Sequence, residues 1–283
     1  MKSEEEYLKN IDQLLPRPDT ALDVLEMAHR DDCSIPVLAA RIEQDPGLTA
    51  NMLKLANSAF FGQVRKIATV HDIIVRLGMD SVRMIAITGA SIGLLRSHQQ
   101  AYNLDPGMLW RHSQATATLA SIIAQTLRVR DSSVIYTAAL LHDIGKVVLN
   151  RPLQLAMLNA GAELSQEQPF IEVERKLLNT DHEKLGMFLL EKWGLPSAIT
   201  VPVGFHHEWE KALIHKAATR IVAVANRLVE GMGFLSQDLE GFDADDYVDE
   251  EIYRDLPGFR ENMETIIEQF HKRMHDSATL TFE

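Results

Sequence analysis

Residues 137–149 read TAALLHDIGKVVL, an apolar stretch with a polar, ionisable pair at its centre. Alanine, leucine, isoleucine and valine recur around the pair at helical spacing, which predicts a largely buried helix. His142 and Asp143 would then lie in a low-dielectric interior, where an ionised carboxylate needs compensation. A hydrogen bond between the two side chains is one solution, and a bound cation is another.

Four further histidines lie in apolar segments or at their ends. His112 lies in LWRHSQATA, His182 lies in the first turn of a predicted helix, and His206 and His207 end the apolar segment VPVGFHHE. Divalent transition metals bind neutral imidazole nitrogens and carboxylate oxygens that converge from separate elements. One such histidine alone is typical of a hydrogen-bonded core residue. Because a His-Asp pair and a His-His pair occur together, we predict that all of them meet in one metal-binding cavity.

Capping residues and prolines mark where helices begin along the rest of the chain. Asp45-Pro46 places a carboxylate at the cap and proline at the first helical position, where its missing N–H costs nothing. Thr69 and Thr180 each precede an acidic residue by three positions, the pattern of a capping box. The 3.6-residue periodicity and the short connections predict an all-α fold. Helices are predicted at about 4–14, 18–30, 35–44, 46–56, 70–77, 80–97, 106–127, 132–145, 152–162, 169–178, 181–193, 197–207, 212–231 and 250–275.

A polar stretch between Gln99 and Pro106 interrupts the apolar pattern and indicates a boundary between subdomains. Residues 232–251 hold eight acidic side chains and no lysine or arginine, which is typical of a solvated loop. The predicted division is an N-terminal helical subdomain over 1–105, a second helical subdomain over 106–231, and an acidic loop with a C-terminal helix over 232–283.

The composition narrows the classes of partner. The 283 residues are 46% hydrophobic and carry a formal net charge of −12, which is globular but unsuited to a DNA-binding surface. Cys33 is the only cysteine, so no intrachain disulfide forms, which suits a reducing cytoplasm. The N-terminus lacks the apolar core of a secretory signal, and no uninterrupted apolar run reaches the roughly 18 residues of a membrane span. We expect a cytoplasmic protein whose partners include neither DNA nor a membrane.

Six segments closely resemble the HDOD family, the HD-related output domains. The first half of that family is matched by LLPRPDTALDVLEMA, IEQDPGLTANMLKLANSAFFG and IIVRLGMDSVRMIAI, and the HD-derived half by LLHDIGKVVL, DHEKLGMFLLEKWGLP and HHE. The resemblance covers about residues 10–230. It implies an N-terminal helical bundle packed on an HD-like helical half. It also implies a bacterial signal-transduction role, non-catalytic, with other signalling proteins as partners.

The resemblance further implies a ligand set for one or two divalent iron, manganese, nickel or zinc ions. Asp143 would bridge two centres: His182, His206 and His207 on one side, and His112 and His142 on the other. Lys146 matches the lysine of HDIGK, which contacts phosphate in the related HD-GYP cyclic di-GMP phosphodiesterases.

Two departures separate this sequence from those phosphodiesterases. Asn226 stands in IVAVANRLV where a metal-binding aspartate is expected, and an amide is a neutral, weaker ligand. After HHE the chain continues WEKALIHK, without the glycine-rich GYP loop. Both favour an interaction module that senses a signal through a metal or a nucleotide-like ligand. The near-complete histidine set keeps a second hypothesis open, a metal-dependent phosphohydrolase in which Asp143 and Lys146 act on a nucleotide or phosphoester.

Overall fold

The structure, a computed structural model, describes residues 18–28, 30, 32–57, 66–160, 168–233 and 242–278. Within these ranges the fold is all-α, as predicted, and the only β pairing is an isolated bridge between Gln99 and Leu104. The predicted helix at 4–14 lies outside the described residues. The α-helices there are α1 Asp19–Ala28, α2 Ile35–Glu43, α3 Pro46–Ala56, α4 Val70–Leu95, α5 Met108–Thr126, α6 Ser132–Leu141, α7 Ile144–Ala160, α8 Phe170–Leu178, α9 His182–Lys192, α10 Ser197–Gly204, α11 Lys216–Gly231, α12 Glu250–Asp255 and α13 Met263–Ala278.

Local signals account for the helix starts of the first half. Asp45 accepts a hydrogen bond from the backbone N–H of Leu48 at 2.9 Å, and Pro46 follows at the first helical position. Thr69 caps α4 in the same way. Inside α4 the chain kinks at Gly78, which has a φ of 78°, so the predicted break between 70–77 and 80–97 is confirmed. Helices α1–α4 pack together around a shared apolar core.

The second half is organised around α5, which is buried over most of its length. Helices α6 and α11 pack along α5, and α13 also contacts it. Helix α9 packs on α7 and α10. The segment between α4 and α5 contains a short 3₁₀ turn, Gln100–Tyr102, that lies against α7. This arrangement brings together four histidine-bearing places: α5, the break between α6 and α7, the start of α9 and the turn after α10.

Three predicted helix boundaries are wrong in ways that matter for the site. The predicted helix 132–145 stops at Leu141, and α7 starts at Ile144, so His142 and Asp143 lie in the break. Helix α7 then runs through Pro152 instead of beginning there, because burial of its apolar face outweighs one lost backbone hydrogen bond. Helix α10 ends at Gly204, which leaves His206 and His207 in the following turn.

Two further predictions, at the cap of α9 and in the C-terminal part, need correction. The cap of α9 is Asp181, not Thr180: its carboxylate accepts from the backbone N–H of Lys184 at 2.9 Å. The predicted helix 250–275 is interrupted between α12 and α13, where Gly258 adopts a φ of 84° that an unbroken helix does not allow.

The acidic segment 232–251, of which residues 232–233 and 242–251 are described, is more structured over 242–249 than a solvated loop. Ala244–Tyr247 form a 3₁₀ turn against α11. Arg227 pairs with Asp249, and the Tyr253 hydroxyl donates to Asp245. Asp249 and Asp245 therefore attach this segment to α11 and α12.

One stretch, Ser132–Ala160, has the length and mean hydropathy of a membrane span, 1.2 over its best window. That window is 72% buried inside the protein, and the chain breaks within the stretch between α6 and α7. Most of its apolar residues belong to the core, whereas Leu155 and Leu158 near its end are exposed.

Candidate metal centre

All six ligand candidates come together in one cavity. His112 projects from α5, His142 and Asp143 from the break between α6 and α7, and His182 from the first turn of α9. His206 and His207 arrive from the turn after α10. His207 is half-buried, and the other five side chains are buried.

The candidates form two groups, each with ligand atoms within 4.8 Å of one another. The first contains His112, His142 and Asp143, with the Nε2 atoms of the two histidines 3.3 Å apart. The second contains His182, His206 and His207. In that group the Nε2 of His182 lies 3.4 Å from the Nε2 of His206 and 3.2 Å from that of His207. This is the same division into two sets that the family resemblance implied.

Asp143 lies between the two groups. Its Oδ2 is 3.4 Å from the Nε2 of His142 and 3.7 Å from that of His112. Its Oδ1 is 3.4 Å from the Nε2 of His182 and 3.9 Å from that of His206. Oδ1 is fully buried and has no hydrogen-bond partner among the described residues. A buried carboxylate oxygen without a donor, facing imidazole nitrogens, fits a metal ion as its missing partner.

Hydrogen bonds on the far side of three rings keep Nε2 turned into the cavity. The Nδ1 of His142 lies 2.6 Å from the carbonyl oxygen of Ala139, and the Nδ1 of His206 lies 2.8 Å from that of Val203. Because a carbonyl oxygen only accepts, Nδ1 must carry the proton, and the Nε2 lone pair then faces the cavity. The Nδ1 of His182 makes the same kind of contact with a carboxylate, at 2.8 Å from Glu174.

Burial keeps four of the imidazoles neutral, the form in which they bind metals. It lowers the pKa of His112 to about 3 and that of His207 to about 2. The pKa values of His142 and His206 are lowered by the same cause. His182 differs: burial lowers its pKa, but the Glu174 carboxylate outweighs this and raises the pKa above the usual value.

Comparison with known proteins identifies the family of the chain. The sequence profile of the HDOD domain family matches residues 14–209. The chain belongs to the HDOD domain family. It is 25% identical over 225 residues to an uncharacterized protein of Treponema pallidum (strain Nichols), a match over 77% of this chain and 42% of that relative. This HDOD chain therefore spans less than half the length of that relative.

Two solved structures show the same fold. A candidate phosphohydrolase from Shewanella amazonensis SB2B aligns with a TM-score of 0.74 at 20% identity, over 97% of this HDOD chain and 98% of its own. A candidate signal transduction protein from Marinobacter aquaeolei VT8 aligns with a TM-score of 0.71 at 23% identity, over 99% of this chain and 60% of its own. At these identities the likeness establishes the fold alone.

Lys146 is bound to the carboxylate that the two groups share. Its ammonium nitrogen lies 2.7 Å from Oδ2 of Asp143, and its side chain is only 14% exposed. Burial lowers the pKa of Lys146, but the charge of Asp143 more than offsets this, with help from Glu230 and Glu174, so the pKa is raised. Burial likewise raises the pKa of Asp143, and the Lys146 charge brings it well below the usual range. Both groups are therefore ionised and neutralise each other.

Glu174 and Tyr102 also belong to the site, and neither was predicted from the sequence. Glu174 is fully buried on α8 and accepts from both the backbone N–H and the Nδ1 of His182. Its other oxygen accepts from the Tyr102 hydroxyl at 2.7 Å. The available signal was an acid on the apolar face of an amphipathic helix, beside Val173.

Arg175 fixes the turn that carries His206 and His207. Its guanidinium contacts Asp181 at 2.7 Å, Glu183 at 3.3 Å and Glu208 at 3.2 Å. Glu183 in turn accepts from the backbone N–H of His207 at 2.7 Å, and burial raises its pKa to about 7. The position of the second histidine group thus depends on ion pairs between α8, α9 and the turn.

Glu174→Gln is expected to weaken metal binding about 10–100-fold, the usual cost of losing a carboxylate behind a histidine ligand. The Glu174 carboxylate now accepts three hydrogen bonds through its two oxygens. A glutamine amide has one oxygen, and its N–H₂ group cannot accept, so His182 would lose its fixed orientation. The affinity is measured by competing Zn²⁺ or Mn²⁺ against a chromophoric chelator. Glu172→Gln, on the exposed side of α8, is the matched control. Equal affinities for the two variants would contradict the role of Glu174.

Proposed function

We propose that this HDOD chain is a signal-transduction module whose histidine pocket binds one or two divalent transition metals and relays their presence through helix packing, without hydrolysing a phosphoester. The observation that carries the metal site is Asp143, whose unpartnered Oδ1 faces one histidine group while its Oδ2 faces the other. Five imidazoles and one carboxylate suit iron, manganese, nickel or zinc more than magnesium or calcium.

Two features favour an interaction module over a hydrolase. Lys146, the residue expected to contact a phosphate, is engaged with Asp143 at 2.7 Å. Asn226 brings a neutral oxygen to His112, at 2.8 Å, where a carboxylate would hold a metal more tightly. The proposed partners are other signalling proteins in a bacterial cytoplasm, with a nucleotide-like ligand as a candidate signal at the pocket, and neither DNA nor a membrane. The Marinobacter relative named for signal transduction shares this fold.

Metal-dependent phosphoester hydrolysis is the second candidate, and the nearly complete ligand set favours it. Two metal ions would activate water for in-line attack on phosphorus. In this reaction His182, His206 and His207 would hold one ion, and Asp143 would hold both. Lys146 would have to leave Asp143 to bind the phosphate charge. The Shewanella relative named for phosphohydrolase activity shares the fold.

The test is elemental analysis of protein purified without an affinity tag, before and after loading with Mn²⁺, Fe²⁺, Ni²⁺ or Zn²⁺. We expect one or two equivalents of metal in the wild type and a loss with Asp143→Ala. Asp143→Asn, which keeps an acceptor for Lys146, guards against a folding defect, and Asp105→Ala at the surface is the control. A wild-type protein that takes up no metal would contradict the metal site.

The same preparations are then assayed against cyclic dinucleotides, nucleotides and an aryl phosphate. We expect no sustained turnover with any loaded metal. Hydrolysis that disappears with Asp143→Ala would overturn the interaction-module proposal in favour of the hydrolase.

A further inference from the structure

The side-chain amide of Asn226 lies between the metal pocket and a carboxylate outside the predicted ligand set. On α11, Asn226 is buried, and its Oδ1 lies 2.8 Å from the Nε2 of His112. Its Nδ2 donates to Oε1 of Glu230 at 3.2 Å. The two residues are four positions apart, so they lie on the same helix face one turn from each other. Glu230 also lies beyond residues 14–209, the range that the HDOD profile matches.

We propose that Glu230 is a positioning residue: it holds the Asn226 amide so that its oxygen faces the pocket as a metal ligand, and it supplies the negative charge that asparagine lacks. The inference rests on the proposed metal site and adds to it a residue outside the histidine set.

The two ends of an amide are chemically different, and this gives Glu230 its orienting role. A carboxylate only accepts hydrogen bonds, so the N–H₂ end of Asn226 must face Glu230 and the oxygen must face His112. The reversed amide would place oxygen against a carboxylate and N–H₂ against the pocket, where it could not bind a cation. Without Glu230 nothing in this pair of contacts distinguishes the two orientations.

The charges around the pocket favour the same role for Glu230. In the group of His112 and His142 both imidazoles are neutral, and Asp143 is shared with the other group and with Lys146. Replacing the expected aspartate by Asn226 removes one negative charge from this half of the pocket. Glu230 places a carboxylate one hydrogen bond behind Asn226, and carboxylates behind a ligand raise its basicity. Burial raises the pKa of Glu230, and the Lys146 charge opposes that rise and favours the ionised form.

Glu230 reaches solvent through a groove of about 410 Å³ lined by Arg227, Glu230, Gly231, Asp246, Tyr247 and Asp249. The cation of this groove, Arg227, is bound to Asp249. The groove also supplies a control: Asp246 is an exposed carboxylate in the same groove. Asp246→Asn therefore removes the same charge from the same surface as Glu230→Gln.

The first test uses metal-free protein and so does not depend on metal binding. In the wild type, His112 must carry its proton on Nε2 to donate to the Asn226 oxygen, and ¹⁵N NMR of the imidazole reports this tautomer. We expect Glu230→Gln to shift His112 partly toward the Nδ1–H tautomer, because the amide is then free to turn over, while the Nε2 of His142, at 3.3 Å, still accepts from an Nε2 proton. Asp246→Asn should leave the spectrum unchanged. A wild-type spectrum in Glu230→Gln would overturn the orienting role.

The second test titrates Mn²⁺ and Zn²⁺ against a chelator. We expect Glu230→Gln to weaken one binding step about 10–100-fold and to leave the other unchanged, since only one histidine group contacts Asn226. In the Asn226→Asp background the loss should vanish, because the ligand itself now carries the charge. Equal losses for Glu230→Gln and Asp246→Asn, or no loss for either, would overturn the charge role. A wild type that binds neither metal overturns the proposed function together with that role.

Discussion

Gly145→Ala is expected to lower the free energy of unfolding by about 2–3 kcal/mol and to disrupt the second histidine group. A Cβ atom at Gly145 would lie 2.0 Å from the carbonyl oxygen of His182 and 2.9 Å from the backbone nitrogen of Gly186. Both atoms are backbone, so no side chain can move aside. Helix α7 would have to separate from α9, and His182 would move away from Asp143. The glycine of HDIGK therefore has a packing role that is separate from ligand chemistry.

Urea denaturation in the presence of a chelator measures this cost without any contribution from bound metal. The matched control is Gly93→Ala, a helical glycine of α4 around which a Cβ would meet nothing within 4 Å. Alanine there should be neutral or stabilise the protein by up to about 1 kcal/mol, through helix propensity and reduced freedom of the unfolded chain. If both variants unfolded at the same urea concentration, the close approach of α7 and α9 would not constrain residue 145.

The sequence was sufficient where local interactions decide the structure. Capping by Asp45 and Thr69 and the kink at Gly78 depend on residues within one turn, and each was predicted at its observed place. The meeting of the histidines could also be predicted, since imidazoles and a carboxylate in apolar segments must find partners. The observed division into two groups matches what the family resemblance implied.

The features that were not predicted from the sequence depend on contacts between distant elements. The break at His142 and Asp143 falls where the start of α7 packs on α9, and although Gly145 allows a close approach, the sequence around residue 142 does not say which element approaches. Glu174 becomes part of the site only when α8 and α9 fold against each other. The interruption before α13 is different, because Pro257-Gly258 is a local turn signal. The prediction of one helix over 250–275 did not take it into account.

Lys146→Met is expected to destabilise the metal-free protein by about 3–5 kcal/mol, the usual cost of removing one partner of a buried ion pair. Asp143 is 1% exposed, and the only hydrogen bond to its carboxylate among the described residues comes from Lys146. Methionine fills a similar volume, so the loss reports the unpaired charge and not a cavity. A bound divalent metal would give Asp143 a new partner, so most of the penalty should disappear in metal-loaded protein.

Thermodynamic linkage turns that difference into an affinity. If metal restores about 3 kcal/mol, Lys146→Met must bind the metal roughly 100-fold more tightly than the wild type, because 1.4 kcal/mol corresponds to a factor of ten. By this relation, Lys146 acts as an internal cation that competes with the metal for the Asp143 carboxylate. Urea denaturation with and without Zn²⁺ measures the free energy of unfolding, and chelator competition measures the metal affinity.

Lys184→Met is the matched control, because Lys184 follows Asp181 by three positions, as Lys146 follows Asp143. Lys184 lies 4.0 Å from Asp181 but is 53% exposed, so its removal should cost less than about 1 kcal/mol with or without metal. A penalty for Lys146→Met that is unchanged by metal would mean that no metal contacts Asp143. A penalty as small as that of Lys184→Met would mean that Asp143 does not depend on the Lys146 charge. Either result would show that Lys146 and the metal do not compete for Asp143. That competition is what would let the pocket report metal occupancy to the helices around it.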